Sequence, residues 1–100
     1  MHKLQRTTVT LEKRAATLRT MLRKNASEYQ LIKAAGRVRD AKIQVLRATI
    51  GEMPSVIRTP AQNRRIAKLE TQIAVLVAAT PTAILAEFRL TPPTARLWHR

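Results

Sequence analysis

Residues 4–22 read LQRTTVTLEKRAATLRTML, and this stretch carries the pattern that decides the fold. Its apolar or small side chains recur at alternating intervals of four and three residues. That spacing is typical of one face of a helix and is close to a heptad seam. The seam positions are Leu4, Thr8, Leu11, Ala15, Leu18 and Leu22. We therefore predict a first helix over about residues 4–24.

A second helix is predicted over about residues 27–50, with Gly51 as its C-terminal stop. Asn25 and Glu28 have the spacing of a capping box, which favours a break near residues 25–27. One continuous helix over residues 4–50 is the alternative, because part of the second helix keeps the register of the first. Its apolar residues form two adjoining stripes, Tyr29, Ile32, Ile43, Leu46 and Ile50 beside Leu31, Ala35, Val38 and Val45. An arc this wide is typical of a helix that is central in a bundle or buried in a dimer.

Thr-Pro pairs divide the second half of the chain. After a loop over residues 51–59, Thr59 precedes a proline and is followed three residues later by Gln62, which is a strong helix-start signal. It predicts a helix over 60–79 that buries Ile66, Leu69, Ile73, Leu76 and Val77. Two further pairs, Thr80-Pro81 and Thr91-Pro92, predict short helices over 81–88 and 92–99.

The predicted fold class is therefore all-α, a helical bundle or a long helical hairpin of three to five helices. We expect a single domain over residues 1–100, since a chain of this length forms one modest core. Residues 1–50 form its basic helical region and residues 60–100 a second helical region.

The charge of the chain indicates its partner. The chain has nineteen Lys and Arg side chains and six Asp and Glu side chains, which gives a formal charge of +13 in 100 residues. The first fifty residues carry +9 and the second fifty +4. Such a charge repels itself unless a polyanion neutralises it, and nucleic acid is the usual polyanion. The cations that we expect to contact phosphates are Lys13, Arg14, Arg19, Arg23, Lys24, Lys33, Arg37, Arg39, Lys42, Arg47, Arg64 and Arg65.

The sequence argues against catalysis. The two histidines, His2 and His99, lie at opposite ends of the chain, and cysteine is absent. Two glycines, Gly36 and Gly51, are too few for a glycine-rich phosphate loop. The carboxylates are spread singly along basic helices, where intrahelical ion pairs are the ordinary interpretation. We therefore expect no enzyme activity, cofactor, metal site or small-molecule substrate.

A membrane partner is not expected either. The longest apolar run is Ile73–Ala79, seven residues, which is far below the length of a membrane span. The predicted first helix lacks the Trp and Phe side chains that usually insert into a membrane surface. We expect a cytoplasmic or nucleoid-associated protein. An organelle is the alternative, because residues 1–24 are rich in Arg, Lys and Thr.

The C-terminal stretch ILAEFRLTPPTARLWHR, residues 84–100, resembles the helix-turn-helix of transposase and regulator DNA-binding domains. The resemblance covers about residues 73–100. It implies that Ala86 is the small residue of the first helix, that Leu90 is the apolar residue of the turn and that Thr91 caps the recognition helix. Ala95 and Trp98 would then anchor that helix on the core. The residues that it implies to face the DNA are Pro93, Thr94, Arg96, Leu97 and Arg100.

These observations predict a non-enzymatic, basic nucleic-acid-binding protein. DNA is favoured, with phosphate contacts from helices one and two and with Thr94, Arg96 and Arg100 reading the site. One alternative is a structural RNA-binding component of a ribonucleoprotein such as a ribosome. A further alternative is a helix-mediated interaction protein that uses the heptad seam, and a homodimer or larger assembly is consistent with either.

Overall fold

The computed structural model describes residues 2–53 and 56–90 of the chain. Within these ranges the protein is all-α, as predicted, and consists of four helices without strands. The helices are α1 (Lys3–Arg23), α2 (Glu28–Gly51), α3 (Pro60–Ala78) and α4 (Pro81–Leu90). The predicted helix over residues 92–99 lies outside the described residues.

The predicted break between the first two helices is confirmed, but its chemistry differs from the prediction. Asn25 does not cap α2; it takes a left-handed conformation (φ 54°) just beyond the end of α1. The amide of Ala26 donates to the carbonyl of Met21 and that of Asn25 to Leu22, which is a Schellman motif. Ser27 caps α2 instead, since its side chain accepts from the amide of Gln30 at 3.3 Å.

Helix α2 is the centre of the bundle, because it packs against each of the other three helices. The wide apolar arc of α2 therefore packs against other helices of the same chain. Leu11, Ala15 and Leu18 of the seam belong to the core that α1 shares with α2 and α4. Tyr29, which the sequence pattern assigned to the apolar arc, is 75% exposed, so that assignment was wrong. The main core consists of Leu11, Ala15, Leu18, Leu31, Ala34, Ala35, Val38, Ala41, Ile84, Leu85 and Phe88.

Both Thr-Pro signals within the described ranges start helices as predicted. Thr59 and Gln62 form a complete capping box at the start of α3. Thr80 caps the start of α4, since its side-chain oxygen accepts a hydrogen bond from the amide of Ala83 at 3.2 Å. Helix α4 continues two residues beyond the predicted end, to Leu90.

Helix α3 is less buried than the sequence pattern predicts. Of its five predicted core residues only Ile66 is buried, while Leu69, Ile73 and Leu76 are half-buried. Val77 is exposed, so its predicted burial was wrong. The reason is that α3 packs mainly on α2. Helix α2 therefore covers one edge of the apolar face of α3, and the described helices leave the rest of that face more open.

Helix α4 offers a matched test of this packing. Leu85 is fully buried against the α1–α2 hairpin, whereas Leu90 on the same helix is 84% exposed. We predict that Leu85→Ala lowers the free energy of unfolding by about 2–5 kcal/mol, because it leaves a cavity in the core. Leu90→Ala should change it by less than about 0.5 kcal/mol. Urea unfolding followed by circular dichroism measures both, and equal effects would contradict the placement of α4.

Candidate nucleic-acid interface

A groove lined by basic side chains lies between α1 and α2. The helices run antiparallel, and His2 at the start of α1 meets Glu52 at the end of α2, with Nδ1 and Oε1 2.7 Å apart. When two helices pack antiparallel, residues that come one position before the core residues of one helix lie beside residues in the same place on the other helix. Side chains that stand one residue before each core position of α1 and α2 therefore meet on one side of the hairpin.

Two adjoining depressions, of about 670 and 420 Å³, make up this groove. Arg14 lines both of them, so they form one continuous surface along the hairpin. We call it the basic groove. Its cations are Lys3, Arg6, Arg14, Lys24, Lys33 and Arg37, and its other lining residues are Thr7, Thr10, Thr17, Met21, Ala26, Gln30, Ala34, Asp40, Ala41 and Gln44.

The cations of the basic groove are unpaired. Among residues 2–53 and 56–90, none of the six makes an ion pair with a carboxylate. The single acid in the groove, Asp40, is engaged by Arg39, whose Nε lies 3.2 Å from its Oδ1. The groove thus presents six basic side chains that have no carboxylate partner in the described part of the chain.

Other carboxylates of the described chain are used elsewhere. Glu28 pairs with Arg89 and so links the start of α2 to the end of α4. Glu52 is held by His2 at the open end of the hairpin. Because these contacts lie at helix ends or on the α4 side of α2, they leave the charge of the groove unchanged.

Arg39, a predicted phosphate-binding residue, has a structural position. Its Nη1 donates to the carbonyl of Ala79, the C-cap residue of α3, at 2.9 Å. A cation at this point satisfies a carbonyl that the helix leaves without a partner, and it also complements the negative end of the helix dipole. With Asp40 on its other side, Arg39 fixes the corner between α3 and α4 onto α2.

Lys42, another predicted phosphate-binding residue, also points away from the groove. Burial lowers the pKa of Lys42 below its usual value of 10.5, and the nearby carboxylate of Glu87 on α4 opposes part of that effect. Its ammonium group is therefore half-enclosed on the α4 side of α2. Of the four cations predicted on the middle of α2, the structure brings Lys33 and Arg37 into the groove and separates Arg39 and Lys42 from it.

Some of the remaining predicted residues line the groove, and the others lie on other surfaces or outside the described residues. Arg14 and Lys24 line the groove from α1. Lys13 and Arg23 are exposed outside it, Arg23 donating to the hydroxyl of Thr20 at 3.2 Å, and Arg19 is half-buried. Exposed positions on α2 and α3 are occupied by Arg47, Arg64 and Arg65. Thr94, Arg96 and Arg100 lie outside the described residues, and Leu90, the proposed turn residue, ends α4.

Sequence reasoning missed Lys3, Arg6 and the polar uncharged residues of the groove. The signal was present, because positions 3, 7, 10, 14, 17, 21 and 24 repeat the four–three spacing of the seam one residue earlier. They read Lys, Thr, Thr, Arg, Thr, Met and Lys. Recognising this stripe as a site required knowing which flank of α1 lies beside the basic flank of α2.

Within the described ranges, no cluster of His, Asp and Glu side chains is arranged to hold a metal ion. No single helix there has the length and apolar composition of a membrane span, whereas α3 and α4 pass that test only as a pair, bent by 104°. Comparisons of the chain with protein-family models, with curated proteins and with solved structures found no match.

The two roles of arginine on α2 can be separated by mutation. We predict that Arg39→Ala lowers the free energy of unfolding by about 1–2 kcal/mol, because it removes a charge-assisted hydrogen bond to the end of α3. Arg37→Ala, two residues earlier in the exposed groove, should change stability by less than about 0.5 kcal/mol. Chemical denaturation of the two variants decides this, and a larger loss for Arg37→Ala would contradict the assignment.

Proposed function

We propose that this chain is a non-enzymatic nucleic-acid-binding protein that holds the phosphate backbone in the basic groove. The observation that carries the proposal is a set of six cations along one groove that have no carboxylate partner among residues 2–53 and 56–90, beside one acid that Arg39 engages. A solvated helix surface normally mixes charges of both signs. Concentrating one sign in a concave surface costs electrostatic free energy, which a bound polyanion recovers through counterion release.

The arrangement of the charges favours a polymer over a small anion. Lys3 and Lys24 are twenty-one residues apart on one helix, which corresponds to about 32 Å along its axis. A single phosphate group contacts only one or two of these cations at a time. A backbone with regularly spaced phosphates contacts several of them along the groove.

The preference for DNA in the sequence prediction depends on the helix-turn-helix resemblance. Its reading residues Thr94, Arg96 and Arg100 lie outside the described residues, so that part stays a prediction. The alternative of a helix-mediated interaction protein depends on the seam at Leu11, Leu18 and Leu22. Helix α2 covers this seam within the chain, which leaves less of the seam for a coiled-coil partner. The groove is a separate, exposed surface, and we therefore favour nucleic-acid binding.

Two exposed lysines provide a matched test of the proposal. Lys33 lies in the basic groove and Lys68 lies on α3 outside it, both exposed and both within helices. We predict that Lys33→Ala weakens binding to a labelled 20-nucleotide strand. The slope of log affinity against log salt should also become shallower by about 0.7–1, because one phosphate contact is lost. Fluorescence anisotropy across a salt series measures both quantities.

Lys68→Ala is the control, and it should reproduce the affinity and the salt slope of the unaltered protein. Far-ultraviolet circular dichroism checks that both variants remain helical. The proposal is wrong if the unaltered protein shows no salt-dependent binding to nucleic acid. It is equally wrong if the Lys33 and Lys68 variants lose affinity to the same extent.

A further inference from the structure

Three threonines of the basic groove donate their hydroxyl protons to carbonyls of their own helix, as threonines in helices commonly do. The hydroxyl of Thr7 donates to the carbonyl of Leu4 at 3.0 Å. In the same way Thr10 donates to Arg6 at 3.0 Å, and Thr17 donates to Lys13 at 2.9 Å. A hydroxyl group has one proton to donate and two lone pairs that accept. With their protons used within α1, these hydroxyls offer the groove acceptors only.

These hydroxyls therefore complement a ligand that carries hydrogen-bond donors as well as negative charge. The phosphodiester backbone of DNA has acceptors at every phosphate but no donor on its sugar. The 2′-hydroxyl of ribose is a donor, and it is the group by which proteins distinguish RNA from DNA at a given site. The exocyclic amino groups of the bases are common to both polymers and do not discriminate between them.

We propose that the basic groove binds a single strand of RNA, with phosphates on its Lys and Arg side chains and 2′-hydroxyls donating to its threonines. This inference rests on the proposed function and specifies its ligand. The order along α1 supports it, since the stripe intersperses threonines at positions 7, 10 and 17 among the cations Lys3, Arg14 and Lys24. A backbone that alternates phosphate and ribose has matching chemistry.

The shape of the groove favours one strand over a duplex. Helices that pack through small and aliphatic side chains lie about 8–10 Å apart, so the depression between their flanks is narrow. Its floor includes Ala34 and Ala41, which are buried, and Met21 and Ala26, which are half-buried. Thr10 and Thr17 are exposed beside this floor, so a flexible single strand can turn its sugar edges toward them, whereas a duplex is too wide to enter a depression this narrow.

The first experiment compares three unstructured 12-nucleotide strands of identical sequence, made of RNA, DNA and 2′-O-methyl RNA. The last of these keeps the RNA-like sugar pucker but has no 2′ proton to donate. We expect RNA to bind about 2- to 10-fold more tightly than each of the other two, which is the effect of one neutral hydrogen bond. Anisotropy titration at a fixed salt concentration measures the three dissociation constants.

The second experiment removes the acceptors. In the double variant Thr10→Val, Thr17→Val, the side chain remains β-branched and of similar size but has no hydroxyl. We expect the ratio of RNA to DNA affinity to fall toward one, because two of the three acceptors are removed and only Thr7 remains. Thr71→Val on α3 is the matched control, because Thr71 also donates to its own helix, to Ala67 at 3.0 Å, but lies outside the groove. It should keep the ratio of the unaltered protein.

The outcomes separate the two proposals. Salt-dependent binding with equal affinity for RNA and DNA overturns the RNA assignment and leaves the proposed function standing. Equal binding of RNA and 2′-O-methyl RNA, or an unchanged ratio in the double variant, also overturns the assignment to the threonines. Absent or salt-insensitive binding of all three strands overturns the proposed function itself.

Discussion

The close antiparallel packing of α1 on α2 is the constraint on which the rest of the structure depends. Ala15 on α1 and Ala34, Ala35 and Ala41 on α2 are all buried, so small side chains occupy much of the contact between these helices. The packing leaves one side of α2 for α3 and α4. On the other side it brings the basic flanks of both helices together. The same contact therefore creates the core and the groove.

The distribution of acids explains why the groove stays positive. Glu28, Asp40, Glu52 and Glu87 each lie beside a cation or a histidine that joins two helices or orients a neighbouring residue. These contacts serve the assembly of the bundle, and exposed ion pairs of this kind contribute little stability on their own. Six of the described cations that have no carboxylate partner line the groove, and the others are spread over the outer faces of α1, α2 and α3. Part of the surplus charge in the sequence is thus gathered along one concave surface.

Much of the fold could be predicted from the sequence, because its signals are local. The seam around Leu18 and the capping box at Thr59 each depend on residues within a turn or two. The predictions that failed required tertiary information. Tyr29 and Val77 fit helical stripes, but both are exposed because the four described helices do not cover them. For the same reason charge alone could not separate Arg37, which lines the groove, from Arg39, which caps α3.

Mapping the contact surface by nuclear magnetic resonance tests the central claim most directly. Backbone amide signals of the ¹⁵N-labelled protein would be followed during titration with a 12-nucleotide RNA strand. The account predicts that the first and largest shifts fall on the groove stripe of α1 and on residues 30–44 of α2 that line it, while α3 changes little. Shifts concentrated on α3, or in residues 91–100 with the groove unaffected, would contradict it.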